Sequence, residues 1–263
     1  MDSTIIEIKS YIGEDYKKVP YLYSNLAAID RNNPNIKIWI EKNSMGDIIA
    51  IFLLYHTCLH FYSREEKYVG DKLQEILSLY PVDVVMIPDN QIHMLNYFQS
   101  SSWHHVTDYI VQHERIMTDV DYAVYLVSSE DEIHDIAELL MKDPLYFESY
   151  SEGSLEYQLK ERWRKGFGKI FRWQSNGRTV GCLAVTGEND RFIFYGCLMV
   201  DPAFRRQGIA DRLVKACVSY GCDINKDCLC FIGIENEASL AMHKSCDNPA
   251  IVGRITKCIL KNN

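Results

Sequence analysis

The chain has 263 residues, 47% of them hydrophobic and 24% charged, which excludes a disordered or collagen-like polymer and suits two small domains better than one. Lysine and arginine number 28 against 36 aspartate and glutamate, a formal net charge of −8. That balance argues against a broad phosphate-neutralising surface, so nucleic acid is not an expected partner.

The opening run Met1 to Glu7 has no basic segment leading into a long apolar stretch, so no secretory leader is expected. Ile36 to Ile40 reads as a strand, followed by a turn at Ser44-Met45-Gly46 and a second strand from Ile48 to Leu54. The most apolar segment, Ile48 to Tyr62, contains His56 and His60. It is shorter than the ~18–20 residues of a membrane span, so no membrane partner is expected. Val69, Leu73, Ile76, Leu77 and Tyr80 then fall on one face of a helix, and Val84 to Ile87 forms a short buried strand.

The polar run Gln112-His113-Glu114-Arg115 leads to a junction near Met117 to Tyr122, dividing the chain into domains 1–120 and 121–263. Tyr122 to Val127 reads as a strand. Ser129-Glu130-Asp131-Glu132 fits a capping box for a helix burying Ile133, Ile136, Ala137 and Leu140. The basic run Arg162 to Lys165 is most simply a solvated helix end. Gly168 to Trp173, a turn at Ser175-Asn176-Gly177 and Thr179 to Val185 repeat the hairpin of the first half, with the turn glycine 131 positions on. Ile209, Leu213, Ala216, Cys217 and Tyr220 repeat the helical stripe, and Leu229 to Ile234 the strand after it. This order points to a duplicated unit of roughly 130 residues, within the usual size of a domain.

Nine cysteines at irregular spacing read as reduced thiols of a cytoplasmic protein. Cys228 and Cys230 share a strand face, but no further ligand stands at a metal-binding spacing, so no metal is expected.

The residues that carry chemistry run from Leu198 to Ala210. A strand from Phe192 through Leu198, Met199 and Val200 ends at Asp201-Pro202. A loop bearing Arg205, Arg206 and Gln207 follows, and Gly208, Ile209 and Ala210 open the helix. Unpaired N–H groups and the positive dipole end of a helix suit a pyrophosphate. Gly208 permits close backbone approach, and Ala210 keeps bulk away. This segment resembles the acyl-CoA site of the GCN5-related N-acetyltransferase (GNAT) superfamily, whose signature of Arg or Gln, two residues, Gly, one residue, then Gly or Ala is filled by Arg205, Gly208 and Ala210. A second resemblance begins at Asn236, with Ser239 three and His243 seven residues on, in the positions of the family's helix beside the CoA.

The resemblance covers about residues 122–263. It implies an α+β fold with a mixed, mostly antiparallel sheet flanked by helices, here duplicated. It also implies an acetyl-CoA-dependent N-acetyltransferase acting by direct attack of a primary amine within a ternary complex. The acceptor is an amine on a small molecule or peptide, and a homodimer is left open as the assembly. The alternative is a CoA-binding regulatory or scaffold protein without turnover.

The resemblance assigns a proton donor for the CoA thiolate to His243, with a backbone N–H near Met199 or Val200 serving the oxyanion. An imidazole titrating near pH 6.5 suits that donor role, although a packed histidine is also consistent with the position. Glu235, at a strand end, is a candidate base. Acceptor contacts are expected from Tyr146, Phe147 and Glu148, where aromatics around a carboxylate could hold an ammonium; the same segment also suits an anchored surface loop. Tyr195 is a further acceptor-pocket candidate or an ordinary sheet aromatic.

Two departures from the family pattern stand out. Ser245 to Pro249 replaces the usual turn, and only Ile251 to Leu260 remains as strand, so the second sheet is expected to be one strand short or completed by the other domain. At the first half's cradle positions stand Glu65, Glu66, Lys67, Tyr68, Val69 and Gly70, whose glutamates would repel a pyrophosphate. The first copy is therefore expected to be a degenerate GNAT-like domain that does not bind CoA by this route.

Overall fold

The computed structural model describes residues 3–29, 35–65, 68, 71–115, 123–144, 146, 151–164, 169–246 and 249–261. Contacts divide the chain into two compact units. The first comprises residues 1–110, 232–235 and 251–263, and the second comprises 111–231 and 236–250.

The first unit opens with helices α1 (Ser3–Ile12) and α2 (Pro20–Ile29), which the hairpin-based reading left unassigned. Ile5, Ile8 and Ile12 of α1 are buried at helical spacing. Then come β1 (Ile36–Lys42), β2 (Ile48–Tyr55), β3 (Cys58–Tyr62), α3 (Lys72–Leu79), β4 (Val84–Pro88), a 3-10 segment (Asp89–Phe98) and β5 (Trp103–His113), whose last three residues belong to the second unit. β1, β2 and β3 pair antiparallel, and β3 pairs parallel with β4 across the α3 crossover. Gly46 takes φ +90° in the first turn, a conformation open to glycine at little cost. β2 is apolar on both faces because helices and strands cover it: Phe52 and Leu54 join Phe61, Leu73, Ile76 and Val85 in one core.

The second unit holds β6 (Val124–Leu126), α4 (Glu130–Leu140), α5 (Glu152–Arg164), β7 (Ile170–Ser175), β8 (Arg178–Glu188), β9 (Phe192–Val200), α6 (Ile209–Asp223), the start of β10 (Asp227–Gly233) and α7 (Glu237–Ser245). Within it the strand order is β10-β9-β8-β7-β6. β6 to β9 pair antiparallel, and β10 pairs parallel with β9. This is the pairing pattern of β1 to β4, with α6 in the role of α3 and Gly177 at φ +75° in the role of Gly46. The α4 capping box forms as expected, with the backbone N–H of Ser129 donating to the Glu132 carboxylate. Ile133, Ile136 and Leu140 pack with Leu155, Leu159, Ile170 and Met199. At the end of α5, Arg164 pairs with Glu130 at 2.7 Å, as a solvated charged face would; Lys165 lies outside the described residues.

The units differ from a division at residue 120, and the junction at 117–122 lies outside the described residues. The main difference is β11 (Pro249–Leu260), which does not complete the second unit's sheet. It pairs antiparallel with β4, from Ile255 opposite Pro88 to Ile259 opposite Val84. Cys258 is buried in the first core, Lys257 pairs with Asp108 at 2.6 Å, and the Thr256 and Thr107 hydroxyls lie 3.0 Å apart. Placing β11 there satisfies the edge of β4, which would otherwise carry unpaired backbone groups.

Candidate acyl-CoA site

In the second unit the register of β9 against β8 shifts twice, between Val185 and Gly187 of β8 and again between Gly196 opposite Ala184 and Met199 opposite Cys182. At the second shift Cys197 and Leu198 together oppose Leu183, a bulge of one extra residue, with Cys197 at φ +52°. A bulge leaves backbone groups unpaired and bends its strand. Met199 and Val200 lie opposite Cys182 and Gly181 of β8; because the Asp201 N–H donates to the Val180 carbonyl, Gly181 and Val200 form a non-hydrogen-bonded pair and the Val200 N–H faces away from β8.

Beyond β9 the chain turns sharply. The Asp201 side chain accepts from the Ala203 N–H at 3.1 Å and from Lys142 Nζ at 2.6 Å. The Lys142 contact, helped by that N–H, holds its carboxyl below the usual range. Arg205 Nε donates to the Val200 carbonyl at 3.1 Å, folding the loop back on the strand end. Arg206 and Gly208 both take positive φ, +64° and +74°. Such alternation turns successive N–H groups toward one side, a concavity suited to anions. The first helical bond of α6 runs from the Arg212 N–H to the Gly208 carbonyl at 3.2 Å, so the N–H groups before Arg212 have no partner within the helix.

Arg205, Arg206, Gln207 and Gly208 are exposed, Ala210 is half-buried, and Ile209 is buried as the anchor. A Cβ placed on Gly208 would meet nothing within 4 Å, so the space before the helix is open. The local pattern did not single out Arg212. Its guanidinium lies over the Trp173 ring at 5.1 Å and donates to the Gln207 carbonyl at 3.3 Å, which fixes the loop from the helix side.

α7 begins at Asn236, whose side chain accepts from the Ser239 N–H at 3.0 Å, so this residue caps the helix. Asn236 is exposed and Ser239 half-buried. Glu235 is exposed in the turn before it.

One turn from the end of α7, His243 is only 4% exposed. Its Nδ1 lies 3.1 Å from His113 Nε2 and 3.4 Å from the Tyr195 hydroxyl. Burial, and then His113, push the His243 pKa down to about 3. The expectation of an imidazole titrating near pH 6.5 is therefore corrected: His243 is neutral at physiological pH because its charged form would be desolvated. Tyr195 is 1% exposed, and its phenol is driven well above its ordinary pKa, first by burial and then by Cys230. It stands against His243 within the unit, not at an open acceptor surface. His113 was read only as part of a polar run; no local spacing links it to residue 243.

Tyr146 is half-buried against the α4 core and neighbours Cys197, so it does lie beside the bulge. Burial raises its phenol pKa, with Cys197 adding to the shift. Phe147 and Glu148 lie outside the described residues.

At the corresponding positions of the first unit, Glu65 and Tyr68 are the described residues. Tyr68 is buried between Phe52 and Phe61, with ring centroids at 5.7 and 5.2 Å, and its hydroxyl donates to Glu41. Gln91, fully buried, accepts from the Tyr68 N–H at 3.3 Å and donates to the carbonyls of Ser63 and Glu65. The Gln91 side chain thus takes the Tyr68 N–H, a donor that an anion there would need. Glu66, Lys67, Val69 and Gly70 lie outside the described residues.

A bulged strand, a turned loop and an open helix N-terminus thus follow one another in the second unit. Residues 133–247 match the family model described as Acetyltransferase (GNAT) family. Over nearly its whole length the chain is similar to a Drosophila protein of known structure, at 12% identity, covering 99% of this chain and 97% of that one with a TM-score of 0.70. A GCN5-related N-acetyltransferase from Kribbella flavida is similar at 8% identity, 94% and 96% coverage and a TM-score of 0.63. A tandem GNAT protein from the clavulanic acid biosynthesis pathway matches at 10% identity, 88% and 85% coverage and a TM-score of 0.50. Curated proteins contain no match. Residues 133–247 thus carry a GNAT-family domain, and the solved structures share the fold of the chain around it.

Proposed function

We propose that this chain is an acetyl-CoA-dependent N-acetyltransferase that acetylates a primary amine by direct attack within a ternary complex. The observation that carries the reading is the open N-terminus of α6 at Gly208, with Arg205 and Arg206 exposed on the preceding loop. The cradle residues fit a pyrophosphate: free N–H groups, cationic rim and no side chain in the approach. Met199, Val200 and the bulge line the thioester side, and Asn236 and Ser239 open the helix that carries His243.

The attacking amine must lose a proton before the N–C bond forms and the C–S bond breaks, and the departing sulfur must gain one. Tyr195 and His113 face Nδ1 of His243. When either donates to that nitrogen, the ring proton sits on Nε2, and a neutral donor is available for the thiolate. Glu235 is the candidate base, being exposed and next to Asn236 in sequence. Tyr146, with Phe147 and Glu148, is the proposed acceptor side. The first unit is proposed to be a degenerate copy of the same fold that does not bind CoA. A cytoplasmic setting is in keeping with nine cysteines that are all free thiols.

A second reading, a CoA-binding regulator without turnover, is favoured by the burial of His243. The two separate in one assay: protein, acetyl-CoA and a panel of amines and peptides, with a thiol reagent reporting CoA release. Amine-dependent release supports the enzyme. Tight CoA binding without release for any amine supports the regulator, and failure to bind CoA at all overturns both.

A further inference from the structure

Four side chains from four separate elements converge inside the second unit: His113 from the end of β5, Tyr195 from β9, Cys230 from β10 and His243 from α7. One ligating atom from each of His113, Cys230 and His243 lies within 4.8 Å of the others, and all three residues are buried. His113 Nε2 and His243 Nδ1 face one another at 3.1 Å, with ring centroids 5.2 Å apart. Two imidazoles bound tetrahedrally to one zinc at about 2.05 Å would stand with nitrogens roughly 3.3 Å and centroids roughly 5.2 Å apart. The observed pair meets both distances to within a few tenths of an ångström. The Tyr195 hydroxyl, 3.4 Å from the same nitrogen of His243, stands at ligand-to-ligand distance as well.

We propose that His113, Cys230 and His243 form a binding site for a single zinc ion, with the Tyr195 hydroxyl at the fourth position. The donor set selects the metal class. Two imidazole nitrogens and a sulfur suit a borderline-soft d10 ion, whereas magnesium and calcium take oxygen ligands. The Cys230 thiol, pushed up to about 12 by burial against the lowering effect of its hydrogen bond with Tyr195, would bind as thiolate and release its proton on metal entry. Coordination through Nδ1 would leave the Nε2–H of His243 available as a donor, so the inference neither requires nor excludes acyl transfer. It replaces the expectation of no metal: the ligands come from positions 113, 230 and 243, a spacing that matches no sequence motif.

The test uses the full chain, stripped with chelator and titrated with cobalt(II) as the probe, then with zinc against a chromophoric chelator. One equivalent of cobalt should give a thiolate-to-cobalt charge-transfer band with the intense visible bands of a tetrahedral site, displaced by one equivalent of zinc. Cys230→Ser should abolish the charge-transfer band. His113→Gln should weaken zinc binding by about 100-fold or more, with far-UV circular dichroism confirming that each variant is folded. Absence of the thiolate band in the unsubstituted protein overturns the site, whatever the variants do. So does a folded Cys230→Ser protein that retains undiminished stoichiometric zinc. None of these readouts depends on CoA or on turnover, so the site can fail while the transferase reading stands, and the reverse.

Discussion

Replacing Gly208 by asparagine and by tryptophan separates backbone strain from exclusion of ligand. Gly208 sits at φ +74° and ψ 10°, the left-handed region. An ordinary L-residue there costs about 1–2 kcal/mol, while asparagine is better tolerated. No atom lies within 4 Å of the position a Cβ would take, so neither side chain clashes with the protein. Gly208→Trp should therefore fold, losing about 1–2 kcal/mol, and Gly208→Asn should lose less. At a ligand concentration of 100 times Kd, acetyl-CoA should stabilise the native protein by about 2.7 kcal/mol. For a chain of this size that is a Tm gain of roughly 5–10 °C. Gly208→Trp should abolish the gain, because the indole would fill the space before the helix, and Gly208→Asn should reduce it. The assay is a thermal melt of each protein with and without acetyl-CoA. An undiminished gain in Gly208→Trp would refute the cradle. A loss of stability far beyond about 2 kcal/mol without ligand would refute the claim that the space is open.

Two other substitutions probe the first unit. His60 is buried, its Nε2 is 3.2 Å from Asn25 Nδ2, and burial pushes its pKa down to about 4. Its folded pKa is therefore below the unfolded value of about 6.5, so the unfolded chain takes up the proton first. Stability from keeping His60 neutral is intact above pH 6.5 and declines as pH falls toward 4, by on the order of 3 kcal/mol in all. His60→Gln lacks that component, so the Tm gap between it and the unsubstituted protein should narrow between pH 7.5 and 5; a constant gap contradicts the assignment. Gln91→Leu should leave the Tyr68 N–H and the Glu65 carbonyl without this partner, at about 1–3 kcal/mol for each group left unsatisfied, while the Ser63 carbonyl keeps the Asn90 side chain at 2.8 Å. Its Tm should fall while the gain from acetyl-CoA persists. Loss of that gain would mean that the first unit takes part in binding.

The sequence by itself determined the features that depend on neighbours along the chain. The hairpin turns at Gly46 and Gly177 follow from backbone preference, and the α4 cap from Ser129 and Glu132 three residues apart. The cradle from Val200 to Ala210 was legible because its chemistry is local: a strand end, a turn and a helix start within eleven consecutive residues. Helix α1 is equally local in origin, since Ile5, Ile8 and Ile12 recur at helical spacing.

Tertiary structure alone decided the rest. β11 could have closed either sheet on its own pattern, and Lys257 and Thr256 found their partners in the first unit 149 residues away in sequence. His243 read equally as a titrating donor or a packed imidazole. Its state depends on how much water surrounds it and on His113, 130 positions earlier, and no periodicity encodes either. Helix and strand signals repeat over a few residues because backbone geometry does. A buried cluster needs only that its side chains meet in space, which is why the His113, Cys230 and His243 grouping emerged from the fold and not from the sequence.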